Sequence, residues 1–434
     1  MTPIPIRPLP TVAPTALRAP TEERWHVSWL FAAPHRLGFF AASLMLAASS
    51  LWWASMLLAR AFGVVTVWAV PAPAAHALLM CFGFMPLFIA GFLFTAGPKW
   101  LGLPEVPARS LRVPVLLMLA GWAATLAGYH VSALLASAGI AMVALGWTRL
   151  CLQFVALLRR SPVPDRVHAT LVALGCCVGA LALWVAGVSL AIGHHLLLRS
   201  ASQVGLWCFA ASVFAVVSHR MIPFFSASAV PLLDAWRPMW LLWVMVGVLW
   251  LQAALAVAEL WWWPLPAALR WAQVLIDAPA AALLLWLALR WGLVQSLKIR
   301  LLAMLHGGFL WLGIALALAA LSNALMAASG DQVSLGLAPM HAMTMGYLGA
   351  TLFAMATRVS SGHGGRPLAA DNIAWALYWV LQTAVLLRVV AALWPALSLP
   401  ISVLAVLVWS VATVGWALRY GSWFGRPRAD GKPG

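Results

Sequence analysis

At 434 residues the chain has the length of two or three soluble domains, yet 64% of it is hydrophobic and only 8% charged, which excludes an ordinary soluble protein. Its 26 Lys and Arg outnumber 10 Asp and Glu, for a formal net charge of +16. The basic residues are scattered thinly between apolar runs, and no basic segment with interleaved aromatics stands apart to bind nucleic acid.

Apolar runs of about 20 residues recur along the chain, each long enough to cross a bilayer as a helix. They are rich in Leu and Ala and lack period-two alternation, so the expected fold is all-α, a polytopic transmembrane bundle of about twelve spans. Residues 1–36 read as a proline-rich cytoplasmic tail without the apolar core of a signal peptide. The predicted spans are 37–59, 76–97, 112–129, 131–157, 168–192 and 202–218. The second six are 238–258, 267–289, 301–327, 336–357, 372–392 and 395–418, so a membrane domain of 37–420 precedes a cytoplasmic tail of 421–434. With both ends inside, 21 Lys and Arg fall on the inner side and three (Arg60, Arg199 and Arg270) on the outer, as the positive-inside rule requires. The cysteines Cys81, Cys151, Cys176, Cys177 and Cys208 lie in or at the ends of apolar runs, as helix-packing residues rather than a disulfide framework.

Eleven histidines in so apolar a chain are the main chemical signal, because an ionisable side chain at membrane depth is costly. His76, His130, His194, His195 and His341 fall at outer span ends, and His168, His219, His306 and His363 toward the inner side; His26 and His35 belong to the tail. Two outer histidines open similar helices: His76-Ala77-Leu78-Leu79-Met80, then Gly83 and Phe88, and His341-Ala342-Met343-Thr344-Met345-Gly346, with Phe353 at the matching offset. His76, Met80 and Gly83 share one helical face, which offers an imidazole above a flat, glycine-relieved surface, as a haem edge needs. The competing reading is that these imidazoles cap helix ends or bond between helices.

His194 and His195, as helix neighbours, point about 100° apart, so both reach one metal only if the helix end unwinds; otherwise they lie in an interfacial loop. His219-Arg220-Met221-Ile222-Pro223-Phe224-Phe225 closes span six on the inner side. Span ten leads into Arg358-Val359-Ser360-Ser361-Gly362-His363-Gly364-Gly365-Arg366-Pro367. Its freed amides and the Arg358 and Arg366 guanidiniums could hold an anion or haem propionates, or simply form an inside-positive loop. Asp277, deep in a span beside Pro279, reads as part of a proton path or as an interhelical hydrogen-bonding group. Trp261-Trp262-Trp263 reads as an interfacial anchor.

At these motifs the sequence resembles the NnrS family of bacterial membrane proteins. The resemblance rests on His76-Ala77 through Gly91-Phe92-Leu93-Phe94-Thr95-Ala96 and Trp100, on the His219–Phe225 block, and on His341-Ala342 through Arg358 to Pro367. Gly365 departs from the threonine usual in that pattern. The resemblance implies a bacterial inner-membrane protein with haem b and copper, acting in nitric oxide metabolism or nitrosative-stress protection linked to denitrification. Nitric oxide or a related small ligand, the lipid bilayer and an electron donor are the partners it implies, and the protein would serve as reductase, detoxifier or sensor. His76 and His341 are then expected to hold one haem from opposite faces. For copper on the inner side the candidates are His219, His306 and His363, with His194 and His195 the outer alternative, since imidazole suits copper and no cysteine cluster competes.

The second span is also similar to that of haem–copper oxidase catalytic subunits, through His76, Met85-Pro86 and Gly91-Phe92, although their His-Pro-Glu motif and paired His-x-His are missing. Other readings are a twelve-span secondary transporter, with Asp277, Glu259 and Arg149 as its polar groups, or an assembly factor without redox chemistry.

Overall fold

A backbone inside lipid must satisfy its own hydrogen bonds. In the computed structural model, which describes residues 24–431, every long apolar run is accordingly a helix and no described residue is in a strand. Eleven helices are long and apolar enough to cross a membrane. They are α1 (Pro34–Ala61), α2 (Ala72–Trp100), α3 (Ala108–Val131), α4 (Ala133–Arg160), α5 (Val167–Ala191) and α6 (His195–Ala229). After them come α7 (Met239–Trp261), α8 (Ala267–Arg290), α9 (Arg300–Ser329), α11 (Asn372–Leu393) and α12 (Pro395–Phe424). Between α9 and α11 lies α10, a continuous rod over 338–363 that falls outside those eleven. Thr344, Thr351, Thr357, Arg358, Ser360 and Ser361 lower its apolarity without breaking the helix.

The chain ends decide the number of crossings. The amide of His26 donates to Gly425 O at 2.8 Å, and Arg36 Nη1 donates to Arg426 O at 2.6 Å. Both ends therefore lie on one face, here the terminal face, which requires an even count and makes α10 the twelfth rod. The tail before α1 was expected to reach residue 36. The helix starts at Pro34 instead, because proline suits a first helical turn, and it carries His35 and Arg36 into the buried interior. Residues 1–23 of that tail lie outside the described residues.

Three rods near the bundle centre are irregular. α2 breaks between Phe82 and Met85, with Phe84 at φ −121°. α6 and α10 contain π-helical turns, at Gly205–Ala211 and Ala342–Gly349. The breaks interlock: the Phe82 ring stacks on Phe209 at 5.9 Å and occupies the place of a Cβ at Gly205. π-turns recur at functional sites, and α2 and α6 are the most buried rods, at 83% and 78% of their most apolar stretches against 28% for α11 and α12.

Two span limits shift enough to move histidines. α6 is 35 residues long where 202–218 was expected, because Pro223 sits inside it without ending it. His219 is thus fully buried inside the helix, not at its closing end. α10 likewise runs to His363, and the turn comes at Gly364 and Gly365. Gly365 has a φ of +67°, and a Cβ there would meet Asp430 at 2.5 Å, which accounts for glycine where the resemblance suggested threonine. The predicted Trp261–Trp263 anchor is exposed at the end of α7.

Candidate functional site

His76 and His341 occupy equivalent places on α2 and α10, which run in the same direction. Eight and twelve residues further on, Phe84 and Phe88 of α2 and Gly349 and Phe353 of α10 line one small cavity. The two imidazoles stand above this shared lining, near enough to interact electrostatically, and both also feel the guanidinium of Arg388 on α11.

Hydrogen bonding separates these two histidines from the rest of the outer layer. A carbonyl can only accept, so His341 Nδ1 donates to Leu337 O at 2.9 Å and its Nε2 is left with a free lone pair. That is the fixed tautomer a metal-ligating histidine shows. The His76 ring stacks on Trp53 at 4.1 Å and 26°, and its buried Nδ1 has no hydrogen-bond partner. Arg388 Nη1 is also buried and unpartnered. His130, in contrast, is satisfied on both nitrogens, by Val67 O at 2.8 Å and Trp52 Nε1 at 3.2 Å. His194 caps the first turn of α6, accepting from Leu197 N at 3.2 Å, and His195 is exposed beside it. His194 stands outside the helix, at φ −91° and ψ 84°, so the two do not follow one another as helix neighbours. Arg388 carried no motif; its only sequence signal was a charge inside a span.

The expected glycine-relieved surface is not there. A Cβ on Gly83 would strike Leu79 O at 2.5 Å, with Ser49 Oγ at 3.2 Å. Gly346 makes room for the Trp311 ring and Gly349 for Trp409. These glycines admit protein, and the atoms without hydrogen-bond partners lie instead at the head of the rods, on His76 and Arg388.

Toward the terminal face the histidines pair off. His168 Nε2 meets His219 Nδ1 at 3.0 Å, and His219 Nε2 donates to Pro238 O at 3.2 Å. His306 Nε2 meets Ser226 Oγ at 2.9 Å. The His363 ring lies 4.6 Å from that of His35, the histidine assigned to the tail, with Arg36, Lys99 and Arg428 nearby. The expected copper set of His219, His306 and His363 is therefore divided among three partners. No group of three or more His, Cys, Asp or Glu suited to a metal occurs among the described residues.

Arg358 stacks on Phe225 at 3.9 Å and Arg366 on Trp423 at 4.1 Å, two rings on different helices. Arg358 also lies roughly 25 Å along α10 from His341 at the usual helical rise, so one haem cannot span both. Between the two layers runs an apolar cavity with about 580 Å³ of empty volume, lined by Phe39, Phe88, Phe92, Phe214 and Met355 among others. It shares Phe88, Leu352 and Ala356 with the smaller cavity below His76 and His341.

A search of the curated proteins returns no match. The family model described as NnrS protein matches residues 29–428, covering every helix and both histidine layers. The chain thus belongs to the NnrS family.

Proposed function

We propose that the protein binds a b-type haem between His76 and His341 and handles nitric oxide or a related small ligand in the bacterial inner membrane. The observation that carries this reading is the coincidence of two imidazoles with free ring nitrogens and an unpartnered guanidinium at the head of two parallel rods. Imidazole is a usual ligand of haem iron, and His341 Nε2, left free by the bond to the Leu337 carbonyl, would serve as one. A haem carries two carboxylates, and Arg388, through its unpartnered nitrogen, would take one of them. Trp53 fixes the plane of the His76 ring by stacking. Bound iron would supply the redox and ligand-binding chemistry.

The neighbouring apolar cavities, which share Phe88, Leu352 and Ala356, support the choice of ligand. A small uncharged diatomic needs no hydrogen-bond partner and is tolerated in a space walled by Phe, Val, Leu and Met. Copper belongs to the same proposal, with donors drawn from the paired imidazoles of the terminal face, two at one place. Metal analysis tests this: His35→Ala or His363→Ala should lower copper per protein, and unchanged copper in both removes that pair from the proposal. The charge asymmetry supports a cytoplasmic terminal face. An optical spectrum of protein purified from haem-sufficient cells tests the whole reading. A Soret band with a reduced α-band is expected, and a colourless preparation contradicts it.

A further inference from the structure

α7, α8 and α9 carry a stripe of polar side chains through an otherwise apolar seam. Arg270, Gln273 and Asp277 recur on α8 at spacings of three and four, and Gln252 and Glu259 on α7 at seven, so each set shares one face. At the mouth of the seam, on the face opposite the termini, the almost fully buried Arg270 meets Glu259 Oε1 at 3.3 Å, Asp331 Oδ1 at 2.7 Å and Asn323 Oδ1 at 3.2 Å. Two carboxylates against one guanidinium leave the mouth negative, and Glu259 is 40% exposed there. One turn deeper, Gln273 Nε2 donates to Gln252 Oε1 at 3.3 Å, and Gln252 Nε2 donates to Asp277 Oδ1 at 2.6 Å. Asp277 is completely buried, and its Oδ2 makes no hydrogen bond. Beyond it the character of the seam changes: Val248, Leu249, Ala280, Leu284 and Leu316 line a small apolar cavity with no polar side chain.

We propose that Asp277 is a proton-binding site that exchanges with the face opposite the termini and not with the terminal face. The polar stripe ends at its free oxygen. The apolar cavity beyond offers water no partners and stays dry, which closes the route on that side. A hydronium ion at the mouth passes its proton along water lining the stripe; an O–H bond forms at Oδ2, water is left behind, and release reverses the step. Neither glutamine ionises, so their part is to hold the carboxyl and line the route. The titratable groups facing the seam are Glu259 of α7, Arg270 of α8 and Asp331 beyond α9; His306 of α9 lies toward the other end, bonded to Ser226. A carboxyl serving only to tie α7 to α8 would stay in one protonation state throughout.

Infrared difference spectra of the protein in liposomes separate these cases. The wild type should show a protonated-carboxyl carbonyl band that grows on acidification. That band should be missing in Asp277→Asn, which keeps an acceptor for Gln252, and should move in frequency in Asp277→Glu. Deuterium oxide supplied on the Arg270 side should shift it at once, and from the other side only after the vesicles equilibrate. The proposal is overturned if Asp277→Asn leaves the pH-difference spectrum unchanged, if Asp277→Glu leaves the band unmoved, or if the band shifts equally fast from both sides.

Discussion

The rings of His76 and His341 lie at matching positions on two parallel rods, each with an uncommitted nitrogen, and both feel the charge of Arg388, whose Nη1 has no hydrogen-bond partner. Single polar atoms left without hydrogen-bond partners where burial makes that costly are what a bound ligand would satisfy on the proposed reading.

Arg388 is the least obvious member and gives the first prediction. Arg388→Leu removes the partner of a haem carboxylate while sparing both axial ligands. Haem affinity, measured by titrating haem into the apoprotein, should fall about 10–100-fold, the usual scale for a supporting group, and Arg388→Lys should recover part of it. Unchanged affinity in Arg388→Leu would free the arginine from the site.

The α3–α4 hairpin depends on backbone contact between Gly121 and Gly139, where an added Cβ meets the opposite carbonyl at 2.6 Å from one side and 2.5 Å from the other. Only Ser132 links these helices, so the hairpin has no slack to open. Gly139→Leu should cost about 1–3 kcal/mol or more by overpacking, seen as a lower melting temperature in detergent. Gly187→Ala, with nothing nearer than 3.5 Å to its added methyl, should melt like the wild type.

The meeting of His26 with Gly425 fixes an even number of crossings, and the 21-to-three charge bias orients them. Reporter fusions after Arg60, after Arg199 and near Asp331 should read periplasmic, and those after Arg160 or at the C-terminus cytoplasmic. A periplasmic C-terminus would contradict both the even count and the assignment of the terminal face.

Apolar run length placed the rods, but the sequence hid how they are cut. Nothing in Gly205–Ala211 or Ala342–Gly349 announces a π-turn, which arises where rods interlock rather than from local propensity. His76 and His341 were legible because their helices share an opening and an orientation. Arg388 was not, since its relation to them is purely spatial. The inner histidines were found as a layer but not with their partners His168, Ser226 and His35, because depth along a rod is readable from sequence and the direction a ring faces is not. His35 was missed through a helix start placed three residues late. The glycines misled for a related reason: a missing Cβ signals close approach, but here the approaching surface is the Trp311 or Trp409 ring.

The most direct test of the central claim is the haem spectrum of the separate His76→Ala and His341→Ala variants, purified from membranes with wild-type insertion. Both should lose the same haem signal, since one cofactor shared between two imidazoles cannot keep its ligation when either is removed. His130→Phe, at a ring already satisfied on both nitrogens, should keep it. Full haem content and an unaltered spectrum in either alanine variant would make that histidine structural and contradict the shared site.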